Sequence, residues 1–289
     1  MKNFTQVKTK EIHPIEFLFN SDLETELHEG EDPSLGVHSS EVLTEMLREV
    51  RCEGEYANQP PLDFILSNGD TDTRFEKEYW HLWAPLEDVC PCYHVVGNHE
   101  GAYFERDGNK WSKYLGYEET YYAWECSAPK ASVTFIVLDT WCSRDRDGTL
   151  RINEGSGNQA FREEEKEWLK KVLDRASGLV VIFAHAHLWP PNCRSQDNEA
   201  IDELMDIVKG TYEEGAVHNH ANVFFNGGHH DGYDCSKVDG VCFIDPIGAI
   251  HKGYARVRID PIKKKMDYIG RFNERSCIGL DLTAYSKVQ

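Results

Sequence analysis

Cys92-Tyr93-His94-Val95-Val96-Gly97-Asn98-His99-Glu100 is the stretch on which the reading of the fold turns. A short run suited to a buried strand passes directly into Gly-Asn-His-Glu, so the chain leaves a sheet and at once presents an amide, an imidazole and a carboxylate. The same pattern recurs on both sides. Ile15-Glu16-Phe17-Leu18-Phe19-Asn20 runs into Ser21-Asp22-Leu23-Glu24, and Leu62-Asp63-Phe64-Ile65-Leu66 into Ser67-Asn68-Gly69-Asp70. Downstream, Leu179 to Ala184 ends at His185, and Ala221 to Phe225 ends in Asn226-Gly227-Gly228-His229-His230-Asp231. Between the first strands, Val42, Leu43, Met46, Leu47 and Val50 recur at helical spacing, with Ser39 or Ser40 as N-cap, and Phe75 to Leu86 reads as a second helix. Strand, helix, strand, helix, strand at this spacing is βαβαβ with a parallel sheet. The carboxyl ends of such strands line one crevice, so Asp22, Asp70, Asn98, His185 and His229 are expected to converge from more than two hundred residues of chain.

The second half continues in kind. Tyr121 to Glu125 and Val133 to Leu138 read as strands, and Asp145 to Asn158 as a Gly/Asn-rich loop. Phe161 to Ala176 is an amphipathic helix with Trp168, Leu169, Val172 and Leu173 on one face and Glu163-Glu164-Glu165 on a solvated one. The tail is β-rich through Val241 to Ile244, Tyr254 to Ile259 and Met266 to Ile269. With no repeat and no linker, one domain is expected over residues 1–289, its core at about 15–272.

Composition narrows the partners. The 289 residues carry 31 Lys+Arg against 50 Asp+Glu, a net charge of −19. Affinity for a phosphate backbone comes from clustered Lys and Arg, and the one dense basic run is Lys263-Lys264-Lys265. No nucleic-acid polymer is expected, whereas a small anion is compatible if the site itself supplies positive charge. No stretch approaches the ~18 consecutive apolar residues of a spanning helix, and no secretory leader is read. Nine scattered cysteines, the nearest pair Cys90 and Cys92 with one residue between them, fit reduced thiols. The expected location is the cytoplasm. Oligomeric state is not legible.

Ser21-Asp22-Leu23-Glu24, Asn68-Gly69-Asp70, Gly97-Asn98-His99-Glu100, His185 and Gly228-His229-His230-Asp231 together resemble the five motifs of the calcineurin-like metallophosphoesterases, D-x-H, G-D, G-N-H-[DE], H and G-H-x-H. The resemblance spans Ile15 to about Phe272. Phe135-Ile136-Val137-Leu138-Asp139-Thr140 and the helix carrying Trp168-Leu169 are similar to the purple-acid-phosphatase-like and cyclic-nucleotide-phosphodiesterase-like branches. This likeness implies an α/β fold of the metallophosphoesterase type, a four-layer α-β-β-α sandwich with mixed sheets. It also implies two divalent metal ions. Asp70 would bridge them, with Asn98, His185 and His229 completing one position and Asp22 belonging to the other. A hydroxide bridging the ions would attack phosphorus in a phosphomonoester or phosphodiester, and His99 would protonate the leaving oxygen or hydrogen-bond the phosphoryl group. A non-catalytic scaffold of the same fold, like the retromer subunit of this superfamily, is the other reading, and retention of Asn98 and His99 argues against it.

Two departures converge on one metal. Glu24 stands where the family has the His of D-x-H, and Asp231 where it has the second His of G-H-x-H. If both coordinate, that position becomes Asp22, Glu24, Asp70 and Asp231, an oxygen cage that suits Mn or Mg, while the His/Asn position suits Mn, Fe or Zn. A register shift that makes His230 or His28 the ligand is the alternative. Thr73 stands where purple acid phosphatases carry an iron-binding Tyr, so no tyrosinate-iron centre is expected, and Asp72 sits one place early for the Asp of other relatives. His187 is read as structural or pocket-lining, and Trp141, Trp189 and Tyr233 as core or substrate wall. His218 and His220 are read as surface residues.

Overall fold

The computed structural model describes residues 4–8, 13–24, 34–71, 83–100, 119–128, 130–144, 150–152, 161–188, 199–213, 216–228, 230 and 234–283. In chain order these form β1 (Phe4–Lys8), β2 (Ile15–Asn20), α1 (Ser34–Val50), β3 (Phe64–Ser67), β4 (Cys92–His94), β5 (Tyr122–Ala128), β6 (Ala131–Val137), β7 (Cys142–Arg144), β8 (Leu150–Ile152) and α2 (Glu163–Arg175). There follow β9 (Leu179–Phe183), α3 (Glu199–Lys209), β10 (Thr211–Glu213), β11 (Ala216–His218), β12 (Val223–Phe225), β13 (Asp234–Val238), β14 (Val241–Asp245), β15 (Gly253–Asp260), β16 (Lys265–Phe272) and β17 (Cys277–Asp281).

Two mixed sheets carry the fold. One has the order β17-β16-β15-β2-β3-β4, with β2, β3 and β4 parallel and β15 returning antiparallel against β2. The other has the order β1-β5-β6-β9-β12-β14-β13, with β6, β9, β12 and β14 parallel. Apolar side chains at alternate positions of each sheet meet in a shared core, where Phe17, Phe19 and Phe64 face Phe135, Phe183 and Phe225. Phe17 stacks on Phe64 at 4.5 Å between ring centroids and meets Phe183 edge-on at 5.9 Å. The opposite faces are buried under helices. Val42, Leu43 and Met46 of α1 cover Leu18 and Ile65, and Trp168, Leu169 and Val172 of α2, with Leu204 and Val208 of α3, cover Val180, Ile182 and Phe224. Helix, sheet, sheet, helix is the four-layer α/β sandwich expected from the sequence.

Local differences from the sequence reading have local causes. Helix α1 starts at Ser34, ahead of both serines read as N-caps. Ser39 lies inside it, and its hydroxyl donates to the carbonyl of Leu23, tying the helix to the loop that holds Asp22. Glu165 is not solvated with Glu163 and Glu164. It is fully buried, where one oxygen accepts the N–H of Asp139 and the other meets Arg162 at 3.3 Å. Part of the stretch read as a loop at 145–158 is strand instead, since β8 (Leu150–Ile152) pairs antiparallel with β7. The visible end of the helix read at Phe75 to Leu86 is residues 83–87. All eight described cysteines are free thiols. Among the described residues, no helix is long and apolar enough to cross a membrane.

Candidate metal centre

Parallel strands β2 and β3 end side by side, and their loops are zipped together beyond the sheet. The Asp22 N–H donates to the Gly69 carbonyl at 3.1 Å and the Glu24 N–H to the Asp70 carbonyl at 2.9 Å. Asp22, Glu24 and Asp70 all adopt positive φ, at 53°, 38° and 50°. For residues other than glycine that conformation costs of order 1–2 kcal/mol each, and such strain gathers at functional sites. Close packing fixes the glycines between them. A Cβ on Gly97 would stand 2.1 Å from Asp70 Oδ1, and one on Gly69, at φ +92°, would stand 2.5 Å from His185 Nδ1.

The outcome is a compact cluster. One oxygen from each of Asp22, Glu24 and Asp70 and one ring nitrogen of His230 lie within 4.8 Å of one another. His230 Nε2 is 3.3 Å from Asp22 Oδ1 and 3.4 Å from Glu24 Oε1. His185 Nε2 is 3.0 Å from Asp70 Oδ2, while its Nδ1 lies 2.7 Å from the Asn68 carbonyl. A ring that donates Nδ1–H to a carbonyl presents Nε2 as its free coordinating atom. The His99 N–H donates to Asp70 Oδ1 at 2.8 Å, and its ring, one third exposed, stands at the rim with Nε2 4.0 Å from Asp70 Oδ2. Asn98 is half-buried in the same turn.

Glu100, the last letter of Gly-Asn-His-Glu, faces inward. Its carboxylate accepts the N–H groups of Asp70 at 3.1 Å, Thr71 at 2.7 Å and Gly97 at 2.5 Å, joining the loops after β3 and β4. Composition and periodicity gave no hint of this role. An acidic residue three places after a glycine was the one available signal.

Charge in the cluster is partly balanced internally. Burial disfavours the Asp22 carboxylate, yet the His185 charge and hydrogen bonds from His230 and Ser21 outweigh it and hold that carboxyl far below its ordinary range. Burial likewise opposes charge on His185, but Asp70 and Asp22 raise its pKa to about 10. The hydrogen bond to Asp22 raises His230 to about 9 against the pull of burial. Without a cation, two imidazolium rings offset two of the three facing carboxylates, leaving one negative charge for an ion to meet. The donor set fits a divalent ion on its own chemistry. His185 Nε2 is buried yet forms no aligned hydrogen bond, and it lies 3.0 Å from Asp70 Oδ2 and 3.7 Å from Asp22 Oδ1, so these atoms face a common space. Three carboxylates and an imidazole suit Mn or Mg.

Of the residues singled out in the sequence, Asp22, Glu24, Asp70 and His185 are brought together, with Asn98 and His99 on the adjoining turn. His230 stands with the carboxylates, as in the register-shifted alternative. His229 and Asp231 lie outside the described residues, as do His28, Asp72, Thr73, Trp189 and Tyr233. Trp141 is buried, its ring 6.2 Å from that of His185. His218 is exposed and His220 partly so.

The calcineurin-like phosphoesterase family model matches residues 15–230. A dimetal phosphatase from Danio rerio has a similar structure, with a TM-score of 0.63 and 18% identity over 93% of this chain and 100% of that one. Purple acid phosphatase PPD1 from yellow lupin (Lupinus luteus) seeds aligns at a TM-score of 0.54 and 10% identity, over 93% of this chain and 53% of the lupin chain. No curated protein matches the sequence significantly.

Proposed function

The chain belongs to the calcineurin-like phosphoesterases, hydrolases by class, and from that premise we propose that it cleaves a phosphomonoester or phosphodiester in a small substrate with the help of two divalent ions. The observation that carries this reading is the convergence of Asp22, Glu24, Asp70 and His230 within 4.8 Å, with His99 at the rim. Asp22, Glu24, Asp70 and His230 would hold one ion, Mn or Mg. Asp70 would be shared with a second position completed by His185, Asn98 and, by motif, His229, where Mn, Fe or Zn fits. Asp231 is the remaining carboxylate that the motif offers to the first position.

Bound divalent ions supply positive charge against the phosphoryl oxygens and lower the pKa of coordinated water. The protein's own residues supply position and proton. The His99 ring is one third exposed and its backbone N–H is anchored on Asp70, which supports a role in donating a proton to the leaving oxygen or a hydrogen bond to the phosphoryl group. Glu100 holds the Asp70 and Gly97 backbones, keeping that geometry without touching substrate. A strongly acidic chain could then act on a small phosphate ester, because the bound ions would supply a local positive field in the crevice.

The test is hydrolysis of an aryl phosphate and a bis-aryl phosphate in the presence of Mg, Mn, Fe, Co, Ni or Zn. Mn- or Mg-stimulated turnover, lost in His99→Ala, is the expected result. No turnover above the His99→Ala control with any of these ions overturns the proposal.

A further inference from the structure

Two buried ionisable residues with no part in the chemistry above meet on the segments that carry the cluster. His187 Nδ1 lies 3.3 Å from Asp245 Oδ1, and the two residues are only 7% and 2% exposed. They belong to strands that are not neighbours. His187 follows β9, Asp245 ends β14, and β12 runs between them, with Phe225 of β12 in register with Phe183 on one side and Ile244 on the other. Strands one place removed stand about 9–10 Å apart. Contact between these side chains therefore requires both to reach across the carboxyl end of β12, over the point where the chain leaves for Gly228 and His230.

Each partner is coupled by short stretches of backbone to one half of the cluster. His187 is two residues beyond His185, and the Leu188 N–H that follows is fixed by Asn226 Oδ1 at 3.0 Å. Asp245 leads into Gly248, whose N–H donates to the His230 carbonyl at 2.7 Å. Beyond it, Ala249 N–H donates to the Ser21 carbonyl at 2.8 Å and Ile250 N–H to the Asp22 carbonyl at 3.1 Å. A Cβ on Gly248 would meet that of Asp22 at 3.1 Å, so this segment lies directly against the cluster. The pair thus ties the His185 side to the Asp22–His230 side at one buried point.

We propose that His187 and Asp245 are positioning residues that set the spacing of His185 against Asp22 and His230 and so the affinity for the metal ions. The inference rests on the metal-dependent reading above. Polar contacts behind a metal site commonly carry 10- to 100-fold in affinity.

Mn binding to the full chain, measured by calorimetry and by the electron paramagnetic resonance of free Mn, tests it alongside thermal unfolding of the metal-free forms. His187→Ala and Asp245→Ala should each weaken Mn binding by about 10- to 100-fold. The double variant should lose little more than either single one, and Asp245→Asn, which keeps an oxygen facing His187, should recover much of the loss. Single-variant affinities within twofold of wild type, or losses that simply add, overturn the inference while leaving the metallophosphoesterase reading intact. So does a variant that loses thermal stability while its folded fraction binds Mn normally. If wild-type protein binds no divalent ion, both readings fall together.

Discussion

His185 Nε2 stands 3.0 Å from Asp70 Oδ2, both side chains buried, in an arrangement that reserves the nitrogen for a positive charge. In the metal-free protein that charge is a proton. His185 and His230, with pKa values raised to about 10 and about 9, are both protonated at neutral pH. A metal needs the neutral ring, so binding must expel protons. Because the folded values lie above neutrality, the release is undiminished at pH 7, and metal affinity rises with pH until it levels off near pH 10. Calorimetry in buffers of different ionisation enthalpy should find one to two protons released per fully loaded molecule. Proton-neutral binding at pH 7 contradicts this account.

The strand-end motifs were legible because a buried strand forces an apolar run, and a turn beyond it leaves polar residues nowhere to face but the crevice. Ile15–Asn20 was read to the residue. Other elements escaped for physical reasons. Phe4–Lys8 is a polar strand at the sheet edge, paired among the described residues with β5 alone, and it shows no period-two apolar pattern. Glu165 carries the same side chain as the solvated Glu163 and Glu164, and only Arg162 and Asp139, brought in by the fold, distinguish it. The choice between adjacent imidazoles and carboxylates after Gly228 depended on backbone direction. Gly228 has φ +76°, a backbone direction that a pattern of residue types does not announce.

Glu100 holds the active loops by three backbone N–H groups. Glu100→Ala should strand those donors in a buried space, at about 1–3 kcal/mol for each N–H left unsatisfied, less than additively. A total loss of about 3–5 kcal/mol in chemical denaturation is expected, together with weaker metal binding. Glu100→Gln, which keeps the shape and one accepting oxygen, should lose less. An alanine variant as stable as wild type would show that the loops are held by other means.

Arg162 is the cation of a buried cluster, with Nη2 3.1 Å from Asp139 Oδ2 and 3.3 Å from Glu165 Oε2. Arg162→Met leaves two carboxyls buried without it and should cost about 3–5 kcal/mol at pH 8. Burial already pushes Glu165 well above the carboxylate range. A carboxyl whose folded pKa is raised holds its proton better when folded, so stability recovers as pH falls. Urea unfolding at pH 5.5 should therefore show a smaller gap between variant and wild type than at pH 8. A gap that widens toward acid would reverse the assignment.

Glu24 separates metal binding from the stability of the empty fold. Three carboxylates and one imidazole sit within 4.8 Å, and an ion that binds only the folded state adds RT ln(1 + [L]/Kd), about 2.7 kcal/mol at a hundredfold excess over Kd. In a protein of this size that is a rise of roughly 5–10 °C in Tm, removed by chelator. Glu24→Gln takes one negative charge from the cage. The metal-free protein keeps the hydrogen bond between His230 and Asp22, so its Tm should move little, by about 2 °C or less. The Mn-dependent rise should shrink by at least half, because a neutral amide replaces one of the charged oxygens facing the ion. A Glu24→Gln variant that keeps the full rise would remove Glu24 from the ligand set and leave Asp22, Asp70 and His230 to hold that position.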